Sequence, residues 1–148
     1  MGNGIWATWY DLPEDGRDEY FDWLHSDYLP SVQARPGIAW VAHYESQGGG
    51  ADMQKVRDTF PKSEGMEGVG TGTQFLMLAG AAEPWTLLAP SVIAEQDALQ
   101  GTARKMLDLR EGVRPCLFST FAHIDGPEMD QRPAGTTPGP AIQMGSFR

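Results

Sequence analysis

Residues 20–38, which read YFDWLHSDYLPSVQARPGI, constrain the fold more than any other part of this chain of 148 residues. Asp15 is a suitable helix N-cap, acidic residues follow it in the first turn, and apolar side chains then recur at helical spacing. Proline disfavours helical geometry in the residue before it, so Pro30 predicts that the helix ends or kinks at Leu29. Pro36 and Gly37 then turn the chain into an apolar run. The segment therefore predicts a helix, a turn and a strand.

The remaining elements follow from the patterning of apolar residues. Alternation and β-branched or aromatic composition predict strands at residues 4–10, 38–44, 71–79 and 116–124. Residues 91–110 predict a second helix, or two short ones separated at Gly101. The order β-α-β-β-α-β predicts an α+β, ferredoxin-like domain, in which a four-stranded antiparallel sheet of order 4-1-3-2 carries both helices on one face.

The predicted domain covers residues 1–130, and two segments depart from its regular pattern. Residues 46–70 are rich in glycine, serine and charged residues, which predicts a mobile loop insertion. Residues 131–148 begin as a proline- and glycine-rich linker and end in an alternating pattern that predicts one more strand. This strand can pair with a partner subunit, or it can be the start of a second copy of the domain.

The first two predicted strands carry apolar side chains on both faces. One of these faces is larger and more apolar than a soluble monomer usually exposes. We therefore expect a homodimer in which the two sheets pack against each other.

Composition argues against several classes of partner. The chain has 11 basic and 20 acidic residues, a net charge of −9, and no basic cluster, so nucleic acid is not an expected partner. The sequence holds no run of roughly 18 apolar residues, so no membrane role is expected. With one cysteine and an N-terminus that does not resemble a secretory signal, the expected location is the cytoplasm.

One motif within the opening segment points to a family. The pattern Y-x-x-W-x-x-x-x-x-L-P-x-V-x-A-x-P-G is formed by Tyr20, Trp23, Leu29, Pro30, Val32, Ala34, Pro36 and Gly37. It resembles the EthD-like branch of the dimeric α/β-barrel superfamily. The resemblance implies a ferredoxin-like homodimer, and such proteins include cofactor-free monooxygenases, polyketide cyclases and muconolactone-type isomerases. Many of them carry histidine two residues before the proline, whereas this chain has Tyr28 there.

Three residues of the first helix are candidate catalytic groups. A wheel at about 100° per residue places Tyr28, His25 and Asp27 on or beside the apolar arc. The Tyr28 hydroxyl can orient a substrate oxygen or donate a proton, and the His25 imidazole is a side chain suited to proton transfer. A carboxylate at Asp27 would be costly inside that arc unless it were paired. The alternative for each is structural: a core tyrosine with a polar tip, a half-buried histidine, and an aspartate that reaches solvent.

Aromatic residues and the other histidines complete the predicted binding site. Trp9, Trp23 and Trp40 are expected to line a hydrophobic pocket, with His43 and His123 near strand ends as further binding residues. The predicted strand order puts those two histidines at opposite corners of the sheet, so no metal is expected. The glycine-rich segments lack the features of a nucleotide site, so no cofactor is expected.

These residues predict a small cofactor-independent enzyme that acts by proton transfer. Isomerase, cyclase, lyase and monooxygenase reactions are all open, and the expected substrate is a hydrophobic metabolite of aromatic or lactone-like character. The alternative is a non-catalytic protein that binds such a ligand or acts as an accessory protein, including a haem-binding relative with an axial histidine.

Overall fold

A computed structural model of the protein describes residues 3–48 and 70–122, together with positions 55, 59, 139, 142 and 144. In chain order its elements are β1 (Gly4–Asp11), α1 (Arg17–Trp23), a π-helical turn (Leu24–Tyr28), α2 (Leu29–Gln33), β2 (Ile38–Glu45), β3 (Phe75–Ala81), a 3₁₀ turn (Pro84–Leu87), α3 (Val92–Asp97), α4 (Thr102–Leu107) and β4 (Glu111–Ser119). The predicted α+β class is confirmed.

The four strands form one antiparallel sheet in the order β2-β3-β1-β4. This is the predicted order, read from the opposite edge, and it is compatible with a ferredoxin-like arrangement. The helices lie on one face, because their buried side chains belong to the same cluster as one set of strand residues. Trp6 and Tyr10 of β1 point to that helix-covered face, whereas Ala7 packs in a separate cluster on the opposite face.

The first helix differs from its predicted form at both ends. Its N-cap is Gly16, with φ of 79° and no side-chain hydrogen bond, so the predicted cap at Asp15 is wrong. The helix does not end before Pro30 but continues to Gln33. A π-helical turn makes this possible: the N–H of Leu29 bonds to the carbonyl of Leu24, five residues back. Pro30 then falls in the first turn of α2, where a missing N–H is tolerated.

The second helical region consists of two short helices, one of the two predicted forms. Ser91 caps α3 by accepting a hydrogen bond from the N–H of Ala94. Gly101, with φ of 67°, then redirects the chain into α4. A side chain at this φ would be strained, which explains why the break falls at a glycine.

The bounds of two strands were predicted wrongly. β4 runs from Glu111 to Ser119 rather than over residues 116–124, and Pro115 lies inside it. β4 is an edge strand, and an edge strand has a free side on which a residue without an N–H is accepted. β3 begins at Phe75 rather than at residue 71, because the Asp11 carboxylate accepts the N–H groups of Thr73 and Gln74 before the ladder starts.

Several predicted features lie outside the described residues. These are most of the 46–70 insertion, His123, and nearly all of the 131–148 linker and C-terminal strand. Of the helices that the described residues form, none has the length and apolar character needed to cross a membrane.

Candidate functional site

A cavity of about 190 Å³ lies between the helices and the sheet. β1 contributes one indole to its lining, and the remaining residues come from the π-helical turn, α2 and α3 and the chain next to them. The lining residues are Trp6, Tyr28, Ser31, Val32, Arg35, Val92, Glu95, Gln96 and Leu99. The combination of apolar walls with a few polar groups is typical of a small-molecule site.

The π-helical turn gives Tyr28 its place in the cavity wall. Its ring stacks on Trp23, with centroids 4.9 Å apart and planes inclined by 15°. At about 100° per residue, side chains five residues apart in an α-helix would diverge by about 140°, so a regular helix could not make this contact. The wider turn brings the two rings together and leaves Tyr28 only 5% exposed.

The Tyr28 hydroxyl is held by a buried amide. Gln96 of α3 is 6% exposed, and its Nε2 donates a hydrogen bond to the Tyr28 oxygen. On its other side, Gln96 Oε1 lies 3.4 Å from Nη2 of Arg110. Burial raises the pKa of Tyr28, while the Gln96 hydrogen bond and then Arg110 oppose the shift. The phenol therefore stays protonated at neutral pH and can donate a hydrogen bond or a proton.

Trp6, another residue of the cavity lining, carries a buried donor. Its side chain is 2% exposed, and its indole Nε1 has no acceptor among the residues that the structure describes. A buried N–H without a partner is costly, which makes such a group in a cavity wall a mark of a ligand site.

An ion pair closes one side of the cavity. Arg35 Nε lies 2.7 Å from Oε2 of Glu95, a partly exposed carboxylate. The same guanidinium donates to the carbonyls of Thr86 and Pro90, at 2.8 and 2.7 Å. These bonds fix the arginine, and the ion pair holds the Glu95 carboxylate in the cavity wall.

A second polar group on the helix-covered face is the histidine cluster, formed by Tyr10, Phe21, His25, His43 and Phe75. The Tyr10 hydroxyl and His43 Nε2 are 2.6 Å apart, and the His43 ring stacks on Phe75. The His25 and His43 ring centroids are 5.8 Å apart. Burial, and then the charge of His25, lower the pKa of His43 to about 4, so His43 is neutral at physiological pH.

The structure separates the three predicted catalytic residues. Tyr28 lines the cavity, whereas His25 is exposed, belongs to the histidine cluster and does not line the cavity. These two side chains therefore do not share this cavity. Asp27 is exposed, so its predicted place within the apolar arc is wrong. The wheel assumed α-helical spacing, and the extra residue of the π-helical turn rotates Asp27 towards solvent.

The predicted aromatic lining divides in the same way. Trp23 stands behind Tyr28, but Trp9 and Trp40 belong to the opposite face of the sheet. We call that side the apolar sheet face; it comprises Ile5, Ala7, Trp9, Trp40, Ala42, Tyr44, Leu76, Leu78, Cys116 and Phe118. The predicted binding residue His43 lies in the histidine cluster, and His123 is outside the described residues.

Sequence reasoning missed most of the polar lining of the cavity. Trp6, Arg35, Glu95 and Gln96 were not among the predicted site residues. A usable signal existed for one of them, because Gln96 shares a helical face with Val92 and Leu99 and so interrupts an apolar stripe. Within the described part of the chain, no group of three or more His, Cys, Asp or Glu side chains could hold a metal ion.

No family model matches the chain, and neither a curated protein nor a solved structure matches it. The resemblance to the EthD-like branch therefore stays a prediction that rests on its motif.

Proposed function

We propose that this protein is a cofactor-independent enzyme that acts by proton transfer on a small hydrophobic ring compound bound in the cavity. One observation carries the proposal: a buried phenol and a carboxylate line the same cavity, and valine and leucine side chains share its lining. An acid and a base on one apolar cavity are the minimum equipment for moving a proton within a ligand.

The size of the cavity limits the ligand. An apolar cavity of about 150 Å³ accepts benzene, so a volume of 190 Å³ suits a single ring with a short substituent. Val32, Val92 and Leu99 offer such a ring an apolar surface. This agrees with the hydrophobic, aromatic or lactone-like substrate expected from the sequence.

The reaction best matched to these side chains is isomerisation next to a carbonyl group. The Glu95 carboxylate takes a proton from the carbon beside the carbonyl, and that C–H electron pair forms the C=C bond of an enol as Tyr28 gives its proton to the oxygen. Glu95 then returns its proton to a different carbon, and Tyr28 recovers its own. Atoms and electrons balance without an oxidant or a cofactor.

A second candidate is a non-catalytic protein that binds the same kind of ligand. It is favoured by the Arg35 ion pair, which gives Glu95 a structural role, and by the cavity lining, which has no imidazole among the described residues. The two candidates share a ligand class and differ in turnover.

The catalytic proposal is tested by the conversion of 3-cyclohexenone to its conjugated isomer 2-cyclohexenone. Ultraviolet absorbance measures the rate of this conversion. We expect a rate above that of buffer, and we expect Glu95→Gln and Tyr28→Phe each to lower it by about 10²- to 10⁴-fold. Asp97→Asn is the matched control, because Asp97 is an exposed carboxylate on the same helix that does not line the cavity. Wild-type protein that does not exceed buffer, while still binding the ketone, would leave only the binding function.

We also propose that the protein is a homodimer formed through the apolar sheet face. The face is apolar except for Arg114, whose guanidinium lies over the Trp9 ring, 4.5 Å from its centroid, and Phe118 at its edge is 44% exposed. Sedimentation at micromolar concentration should give about twice the mass of one chain, and Phe118→Asp should shift the population to monomer. A wild-type protein that stays monomeric would refute this assembly.

A further inference from the structure

The orientation of the Gln96 amide follows from its neighbour. A guanidinium has hydrogen-bond donors and no acceptor, so the amide atom that faces Arg110 must be the oxygen. The Gln96 nitrogen then faces Tyr28 and donates to its oxygen. The Tyr28 hydroxyl is therefore an acceptor in this bond, and its own hydrogen is left over.

That hydrogen and the indole N–H of Trp6 are the available donors. Within the described residues neither has an acceptor, although both side chains are more than nine-tenths buried and line the same cavity. Other donors in the lining are already bonded. Ser31 donates to the backbone carbonyl of Tyr28, and Arg35 is held by Glu95 and two carbonyls.

We infer that the cavity recognises its ligand through one oxygen atom that accepts two hydrogen bonds, from Trp6 Nε1 and from the Tyr28 hydroxyl. The inference rests on the proposed function and names its substrate class: a ring ketone, a lactone, a quinone or the corresponding enolate. A hydrocarbon of the same shape leaves both donors unpaired, which makes it the poorer ligand. In the proposed isomerisation, the same two donors stabilise the negative charge that develops on the oxygen.

Gln96 and Arg110 are positioning residues in this scheme. Arg110 fixes the amide, and the amide fixes the direction in which the Tyr28 hydroxyl donates. Gln96→Glu reverses that direction, because one carboxylate oxygen pairs with Arg110 and the other accepts the Tyr28 hydrogen. Gln96→Met removes the amide but leaves the Tyr28 hydrogen available.

The test compares acetophenone with α-methylstyrene, which differ only in having C=O or C=CH₂ at one position. The five tryptophans give resolvable indole signals in ¹⁵N-labelled protein, and the Trp6 signal is assigned by triple-resonance spectra. We expect acetophenone to move the Trp6 indole proton downfield and to bind about three- to tenfold more tightly than the hydrocarbon. A Trp6 signal that acetophenone leaves unmoved up to its solubility limit, or equal affinity for both probes, overturns the inference.

The variants separate recognition from catalysis. Gln96→Glu and Tyr28→Phe should each weaken acetophenone binding by about three- to tenfold, while Gln96→Met should weaken it less and α-methylstyrene should bind all three alike. Thermal unfolding checks that each variant is folded, and Tyr28→Phe decides the matter if Gln96→Glu is not. Wild-type affinity for acetophenone in both Gln96→Glu and Tyr28→Phe overturns the inference. Selective ketone binding without turnover of 3-cyclohexenone removes only the catalytic proposal.

Discussion

The cavity and the histidine cluster each contain a buried tyrosine, and the two hydroxyl groups have different partners. Tyr10 and Tyr28 are 1% and 5% exposed, and burial raises the pKa of both. The Tyr10 hydroxyl bonds to a ring nitrogen of His43, whereas the Tyr28 hydroxyl accepts a hydrogen bond from the Gln96 amide. An amide nitrogen can only donate, so this partner leaves the Tyr28 hydrogen available to a ligand.

The polar groups of the histidine cluster are paired with one another. His43 stacks on Phe75, contacts the Phe21 ring and is hydrogen-bonded to the Tyr10 hydroxyl. These contacts contribute to stability. The cavity, in contrast, keeps two donors without acceptors among the described residues, and both are available to a ligand.

Acidification should lower the stability of the histidine cluster, and this should be the largest of the expected effects. The pKa of His43 is about 4 when folded and about 6.5 when unfolded, so the unfolded chain binds the extra proton between these values. The stability that comes from neutral His43 is complete above pH 6.5 and is lost as the pH falls towards 4, by up to about 3 kcal/mol. Urea unfolding at a series of pH values measures this loss. His43→Gln should flatten the plot of unfolding free energy against pH in this range. A variant plot that matches the wild-type plot would contradict the lowered pKa of His43.

Tyr10→Phe should give the next largest effect. It leaves a half-buried imidazole nitrogen without its hydrogen-bond partner, which costs about 1–3 kcal/mol of unfolding free energy. Denaturant unfolding at pH 7.5 measures the change, where His43 is neutral in both states. A loss below about 0.5 kcal/mol would show that water replaces the hydroxyl.

Tyr28→Phe should cost less unfolding free energy than Tyr10→Phe. The substitution leaves the Gln96 nitrogen unpaired, but that nitrogen lies beside a cavity that water can enter, so we expect a loss of at most about 1 kcal/mol. The measurement is the same denaturant series as for Tyr10→Phe. Equal losses of unfolding free energy in the two variants would mean that water does not replace the lost hydroxyl in the cavity.

Asp27→Asn should have the smallest effect. Its side chain is exposed, although the neighbouring Tyr28 is buried, so unfolding free energy should stay within about 0.5 kcal/mol of wild type. Thermal unfolding is a sufficient check. A loss of 2 kcal/mol would revive the sequence-based interpretation of a buried carboxylate.

The sequence predicts what depends on local repetition. Alternation placed Ile5, Ala7 and Trp9 on one face of β1 and Trp6 and Tyr10 on the other, and the element order implied the observed strand order. Asp27 was misplaced because no residue type marks a π-helical turn, and one extra residue per turn alters every angle counted across it. Pro115 was misread as a boundary because a pattern within one strand does not show that the strand is an edge.

The cavity could not be derived in this way, because its groups meet only in the folded chain. Arg35 and Glu95 are 60 residues apart and come from different helical regions. The direction of the Tyr28 hydrogen bond depends on Arg110, which lies after α4 and is linked to Tyr28 only through Gln96. Such a chain of contacts has no counterpart in sequence spacing.

The π-helical turn also bears on how related chains would align with this one. It holds one residue more than an α-helical turn, so a relative that lacks one residue between Trp23 and Tyr28 would bring the same two rings four apart, where a regular helix makes them neighbours. Such a relative would keep the stacked pair and the cavity wall while the alignment opened a gap inside a helix. Homologues of this chain should therefore tolerate a single-residue deletion between Trp23 and Tyr28 better than elsewhere in that helix.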